Sequence, residues 1–99
     1  GAYRAALSLH PAHARALNNL ASMRVAAGRQ EEALKLYRRA IEADPNMYEA
    51  YNNLGGQLLA MGKAADAEPV LRFAVSMEGS EPQLLFNLGL AIRGVGRGP

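Results

Sequence analysis

The sequence contains no cysteine and only two histidines among its 99 residues. Without cysteine, the chain can form neither a disulfide nor a thiolate metal site. His10 and His13 lie on either side of Pro11, with no cluster of carboxylates beside them. We therefore predict that the chain holds no metal ion and no cofactor.

Long apolar runs and strong charge are missing too. No apolar stretch approaches the length that crosses a membrane, so no membrane association is expected. Eleven basic and nine acidic residues give a formal charge of +2, and only Arg38 and Arg39 adjoin among the basic residues. A nucleic-acid site would need a basic patch with interleaved aromatic residues, so none is expected. The compartment stays undetermined, with the cytoplasm favoured.

What the sequence does have is a segment that returns at a fixed interval. Ala-Leu-Asn-Asn-Leu-Ala at 16–21 reappears as Ala-Tyr-Asn-Asn-Leu-Gly at 50–55 and as Leu-Leu-Phe-Asn-Leu-Gly at 84–89, intervals of 34 residues. Repeats of this length are typical of stacked helical arrays, in which one repeat cannot bury its own apolar face. The pattern predicts an all-α binding scaffold without an enzyme's pocket.

The apolar spacing places the helices. Residues at i, i+3 and i+4 predict a first helix over 12–27, with second helices over 30–43 and 64–77. Equivalent glycines at 28, 62 and 96 are expected to close the first helices in the left-handed conformation.

Prolines modify this pattern. Pro45 is expected to end a helix at Asp44, and Asn46 to cap the next one. Pro69 lies inside the helix predicted over 64–77, so that helix either starts late or is kinked.

The same interval divides the chain into one array of helix pairs over residues 1–99, with two full repeats and two half repeats. Residues 3–11 align with 37–45, which indicates that the chain opens inside a second helix. The predicted boundaries are 1–11 for the second helix of an incomplete repeat, 14–47 and 48–81 for two complete repeats, and 82–99 for the first helix of another incomplete repeat.

These residues resemble the tetratricopeptide repeat family over nearly the whole chain. The matching residues are Leu20-Ala21, Leu54-Gly55 and Leu88-Gly89 in first helices, Ala33, Tyr37, Ala40, Ala67, Leu71 and Ala74 in second helices, and Pro45. The chain departs from the family pattern at Leu17, Arg24, Gly79 and Leu85. The resemblance implies a right-handed superhelical solenoid of antiparallel helix pairs. It also implies a concave groove, lined by the first helices, that binds extended peptides of a protein partner.

Asparagine recurs at one position of each first helix, as Asn19, Asn53 and Asn87. Asparagine has a low helix propensity, so its recurrence inside three helices requires an explanation. Each lies one residue before an apolar leucine, and stacking would align the three amides as a ladder that can bond a peptide backbone. The ladder resembles the repeat arrays of O-linked N-acetylglucosamine transferases, where such asparagines hold an extended substrate. The alternative is that each asparagine bonds a neighbouring helix or water.

By the geometry of the family, further residues of the first helices should face the same groove. They are Arg15, Asn18, Ser22, Glu49, Asn52, Gln83 and Phe86. Some relatives grip a terminal carboxylate with lysines and arginines on this face. Only Arg15 is cationic here, so such a clamp is not expected.

No serine has an evident base and orienting acid, and no phosphate-binding loop is present, so we predict that these residues are not themselves an enzyme. Two further roles stay open. The array could be the substrate-recruiting arm of a larger enzyme such as a glycosyltransferase. Alternatively, the last helix, predicted over 82–93, exposes Leu85, Leu88 and Ile92, and chains could stack end to end into a longer solenoid.

Overall fold

The computed structural model describes residues 11–79 and 81–97. Within these residues the chain forms five helices and no strand. The helices are α1 (Pro11–Ala26), α2 (Gln30–Ala43), α3 (Tyr48–Ala60), α4 (Ala64–Met77) and α5 (Pro82–Arg97). The predicted all-α fold is therefore confirmed, and the second helices have their predicted bounds. The half repeat predicted over 1–11 lies almost wholly outside the described residues.

The chain divides into two compact units, and the boundary lies within α3, between Ala50 and Tyr51. The first unit contains the hairpin of α1 and α2 together with the first turn of α3. The second contains the rest of α3, followed by α4 and α5.

The first unit is held together by small side chains on one face of α1 and α2. In α1, Ala14, Leu17 and Ala21 are buried at the i, i+3, i+7 spacing of a single helix face. Ala40 and Ala43 of α2 join Ala14 and Leu17 in one apolar cluster, which Met47 and Ala50 complete. Alanine at these points lets the two helix backbones approach closely.

The turn between α1 and α2 is a Schellman motif. Gly28 has a φ of 80°, its N–H bonds the carbonyl of Val25 at 3.0 Å, and the N–H of Arg29 bonds the carbonyl of Arg24 at 2.8 Å. Only glycine adopts this backbone without strain. Gly62, with a φ of 78°, repeats the motif between α3 and α4. Two of the three predicted glycine caps are therefore confirmed.

At its other end, α2 stops where the sequence predicts. Asp44 is extended, with a φ of −146°, because a following proline disfavours helical geometry. Its carboxylate accepts the backbone N–H of Asn46 at 3.1 Å. The next helix begins at Tyr48, so Asn46 lies one residue too early to cap it, and that prediction is wrong.

In the second unit, α4 lies very close to α3 and to α5 at two glycines. A Cβ added at Gly55 of α3 would overlap the side chain of Leu71, which is fully buried on α4. A Cβ at Gly94 of α5 would lie 2.6 Å from that of Ala64 at the start of α4. Glycine is therefore the residue that allows α4 to approach both neighbours at these two points.

Two details of the second unit differ from expectation. α5 continues to Arg97, so both the range of 82–93 predicted for this helix and the cap predicted at Gly96 are wrong. α4 begins at Ala64 and contains Pro69, which rules out a late start. Within the residues that the structure describes, no helix has the length and apolar character needed to cross a membrane.

Candidate functional site

The ten residues predicted to face a groove all lie on α1, α3 and α5. Those of the first unit are Arg15, Asn18, Asn19, Ser22 and Glu49. Those of the second unit are Asn52, Asn53, Gln83, Phe86 and Asn87.

In the first unit, neighbouring asparagines differ in exposure. Asn18 is 8% exposed, whereas Asn19 is an exposed residue. Consecutive helical residues point about 100° apart, which accounts for the difference. Arg15 and Met23 are also exposed and lie four residues before and after Asn19, so the three share one face of α1.

Ser22 connects α1 to α2. Its hydroxyl donates to the carbonyl of Asn18 at 3.3 Å and lies 3.0 Å from the hydroxyl of Tyr37. If the proton of Ser22 is donated to Asn18, the Tyr37 hydroxyl donates to Ser22, although either hydroxyl can be the donor at this distance. Tyr37 is 4% exposed, so this bond satisfies a polar group at the edge of the core. Ser22 therefore has a structural role that its sequence position did not indicate.

In the second unit, three of the predicted residues form a chain of side-chain amides, which we call the amide relay. Gln83 donates from Nε2 to Oδ1 of Asn87 at 3.2 Å, and Asn87 donates from Nδ2 to Oδ1 of Asn52 at 2.8 Å. The second bond joins α5 to α3. It runs diagonally, since Asn87 bonds Asn52 rather than the equivalent Asn53.

The amide relay keeps hydrogen-bonding capacity in reserve. A side-chain amide offers two N–H donors and two acceptor positions on its oxygen. Asn87 uses one donor and one acceptor position, and Asn52 uses its oxygen alone within the described residues. A backbone amide of a bound peptide needs one donor and one acceptor, which the relay can supply without breaking.

Two exposed apolar residues lie beside the relay. Phe86 is 62% exposed and Leu90 is 38% exposed. Together with Gln83 and Asn87 they have the i, i+3, i+4, i+7 spacing of one face of α5. This face thus presents amide groups and apolar surface side by side.

The structure also contains a cavity that sequence reasoning missed. It has a volume of about 290 Å³ and lies between α1 and α2. Its lining consists of Leu20, Arg24, Glu32, Lys35, Leu36 and Arg39. The available signal was the spacing of Lys35 and Arg39 on either side of Leu36, two cations four residues apart with an aliphatic residue between them.

The described residues contain no cluster of three or more histidine, cysteine, aspartate or glutamate side chains able to hold a metal ion.

Two models of known families match the sequence. Residues 1–48 match a model described as tetratricopeptide repeat, and residues 36–68 match a second model with the same description. Between them they cover residues 1–68. A comparison with curated proteins found no match.

Proposed function

Since the chain belongs to the tetratricopeptide repeat family, whose repeats generally mediate protein–protein interactions, we propose that it binds an extended peptide segment of a protein partner. The binding surface would comprise the exposed residues of its first helices. We further propose that residues 14–47 and 48–81 act as two complete repeats of a single array.

The amide relay is the observation that carries this proposal. Asn52 and Asn87 belong to different helices, and Nδ2 of Asn87 donates to Oδ1 of Asn52 at 2.8 Å. This bond fixes the direction of the donor and acceptor positions that the two side chains do not use in it. Because these side chains are already ordered, little conformational entropy is lost when a peptide backbone binds to them. Phe86 and Leu90 supply apolar contact on the same face of α5.

The test begins with peptides selected from a random dodecapeptide library on the unaltered chain. Binding of a selected peptide is then measured by fluorescence anisotropy for Asn87→Ala and for Asn46→Ala, a matched control in an exposed turn. We expect Asn87→Ala to weaken binding about five- to tenfold, since one hydrogen bond contributes roughly 1 kcal/mol, and Asn46→Ala to leave it unchanged.

Thermal unfolding of the same variants separates binding from folding. Asn87 is half-buried, and we expect Asn87→Ala to keep the melting temperature within a few degrees. If Asn87→Ala unfolds the chain and binding follows the folded fraction, the asparagines are structural and the proposal fails. It also fails if the library yields no binder.

Self-association is a second candidate function, favoured by the apolar face of α5. On this helix Leu85, Ile92 and Val95 are 47%, 44% and 40% exposed, whereas Leu88, which was also expected to be exposed, is half-buried. Covering such a face against a second copy would bury apolar surface that one chain leaves in water. Sedimentation equilibrium at rising concentration should then show dimers or longer assemblies, and a monomer at millimolar concentration would exclude this function.

A further inference from the structure

We propose that the cavity between α1 and α2 is a second binding site, which accepts a partner segment carrying a carboxylate next to an aliphatic side chain. None of the ten residues predicted for the groove lines this cavity. The inference therefore goes beyond the proposed function and does not depend on the amide relay.

The chemistry of the lining sets the class of ligand. Leu20 and Leu36 are half-buried and provide an aliphatic surface, while the other lining residues are charged. Three of those are cations, Arg24, Lys35 and Arg39, and only Glu32 is an anion. An apolar surface under an excess of positive charge is complementary to an acidic side chain with an aliphatic neighbour.

The only acid of the lining is already engaged. Glu32 pairs with Arg24 at 3.3 Å and with Arg29, outside the lining, also at 3.3 Å. Its negative charge is therefore directed to these two arginines. Lys35 and Arg39 have no acidic partner within the residues that the structure describes.

Lys35 and Arg39 lie four residues apart on α2, where like charges face each other and disfavour the helix. A carboxylate bound between them would relieve this repulsion. Arg39 can also hold a carboxylate through two parallel N–H donors, which fixes its orientation.

The size of the cavity is compatible with this ligand. The cavity is largely open to solvent, and its volume of about 290 Å³ lies at the lower limit of the roughly 300–1,000 Å³ typical of small-molecule sites. One or two side chains of a longer partner segment can therefore occupy it. A short peptide with adjacent glutamate and leucine is the smallest probe that carries both groups.

The test titrates the peptide acetyl-Gly-Glu-Leu-Gly-amide into the isotopically labelled chain and follows backbone amide shifts by NMR. Parallel titrations use the same peptide with glutamine for glutamate, and with glycine for leucine. We expect the shifts to centre on Leu20, Leu36 and Arg39. We expect both altered peptides to bind more weakly, the glutamine one by about two- to fivefold, as for one exposed ion pair.

A pair of variants tests the position of the site. Arg38 and Arg39 adjoin on α2 and are both exposed, but only Arg39 lines the cavity. Arg39→Gln should weaken binding of the glutamate peptide by about two- to fivefold, whereas Arg38→Gln, with the same net charge, should leave it unchanged. Asn87→Ala should also leave it unchanged, which separates this site from the groove.

Three results would overturn the proposal. Equal weakening by Arg38→Gln and Arg39→Gln would mean a general attraction to a basic surface. Equal binding of the glutamate and glutamine peptides would remove the role of the carboxylate. Shifts confined to α3 and α5 would move the site elsewhere. The two peptide comparisons use the unaltered chain, so they decide the matter even if a variant folds poorly.

Discussion

The third and fifth helices have equivalent residues 34 positions apart but differ in how much apolar surface they bury. Leu58 of α3 is 1% exposed, whereas its equivalent Ile92 of α5 is 44% exposed. Gly55 lies against Leu71, while a Cβ at the equivalent Gly89 would meet nothing within 4 Å. Residues at equivalent positions of α3 and α5 therefore differ in burial, although the two helices share the same sequence register.

The largest expected difference concerns the two aliphatic equivalents. Leu58→Ala should lower the free energy of unfolding by about 3 kcal/mol, because it leaves a cavity in a fully buried place. Ile92→Ala should cost less than about 1 kcal/mol, because its side chain already contacts water. Urea unfolding monitored by circular dichroism measures both. Similar losses for the two variants would contradict the comparison.

The equivalent glycines of α3 and α5 should also differ in how substitution affects stability. Gly55→Ala should destabilise the chain by about 1–3 kcal/mol, because the new methyl group overlaps the buried Leu71. Gly89→Ala should instead stabilise it by up to about 1 kcal/mol, because alanine favours the helix and has open space there. The measurement is the urea midpoint of each variant. A stabilising Gly55→Ala would mean that α3 and α4 can separate without loss.

The smallest expected effect concerns a buried polar residue of α3 whose equivalent on α5 is apolar. Gln57 of α3 is 7% exposed, and its Nε2 has no hydrogen-bond partner within the described residues, whereas the equivalent Ala91 is apolar and fully buried. Gln57→Met should stabilise the chain by about 1 kcal/mol, because it removes an unpaired buried donor. Gln30→Met, at an exposed position, is the control and should change the thermal midpoint little. A loss of stability for Gln57→Met would show that the amide is satisfied.

Much of the fold could be predicted because its determinants are local. The bounds of α2 and α4 follow from apolar spacing, and the turns at Gly28 and Gly62 follow from a left-handed backbone that needs glycine. The end of α5 could not be predicted in the same way. Gly96 does not close the helix as Gly28 and Gly62 do, because α5 includes Gly96 and continues to Arg97.

The candidate site was predictable only in part. Sequence spacing gives the angular position of each asparagine on its own helix, so the exposure of Asn19 follows from it. The bond between Asn87 and Asn52 depends on the stagger between α5 and α3, which is a property of helix packing. The basic cavity likewise depends on the gap that unlike side chains leave between α1 and α2.

The Schellman turns have a practical consequence for engineering. Both satisfy their own backbone groups through bonds to the helix that they close, and an added Cβ at Gly28 or Gly62 would touch nothing within 4 Å. The backbone hydrogen bonds of each turn are thus local, between Arg24 and Arg29 in the first turn and between Leu58 and Lys63 in the second. We expect a hairpin that is grafted into another scaffold together with its turn to keep these hydrogen bonds there.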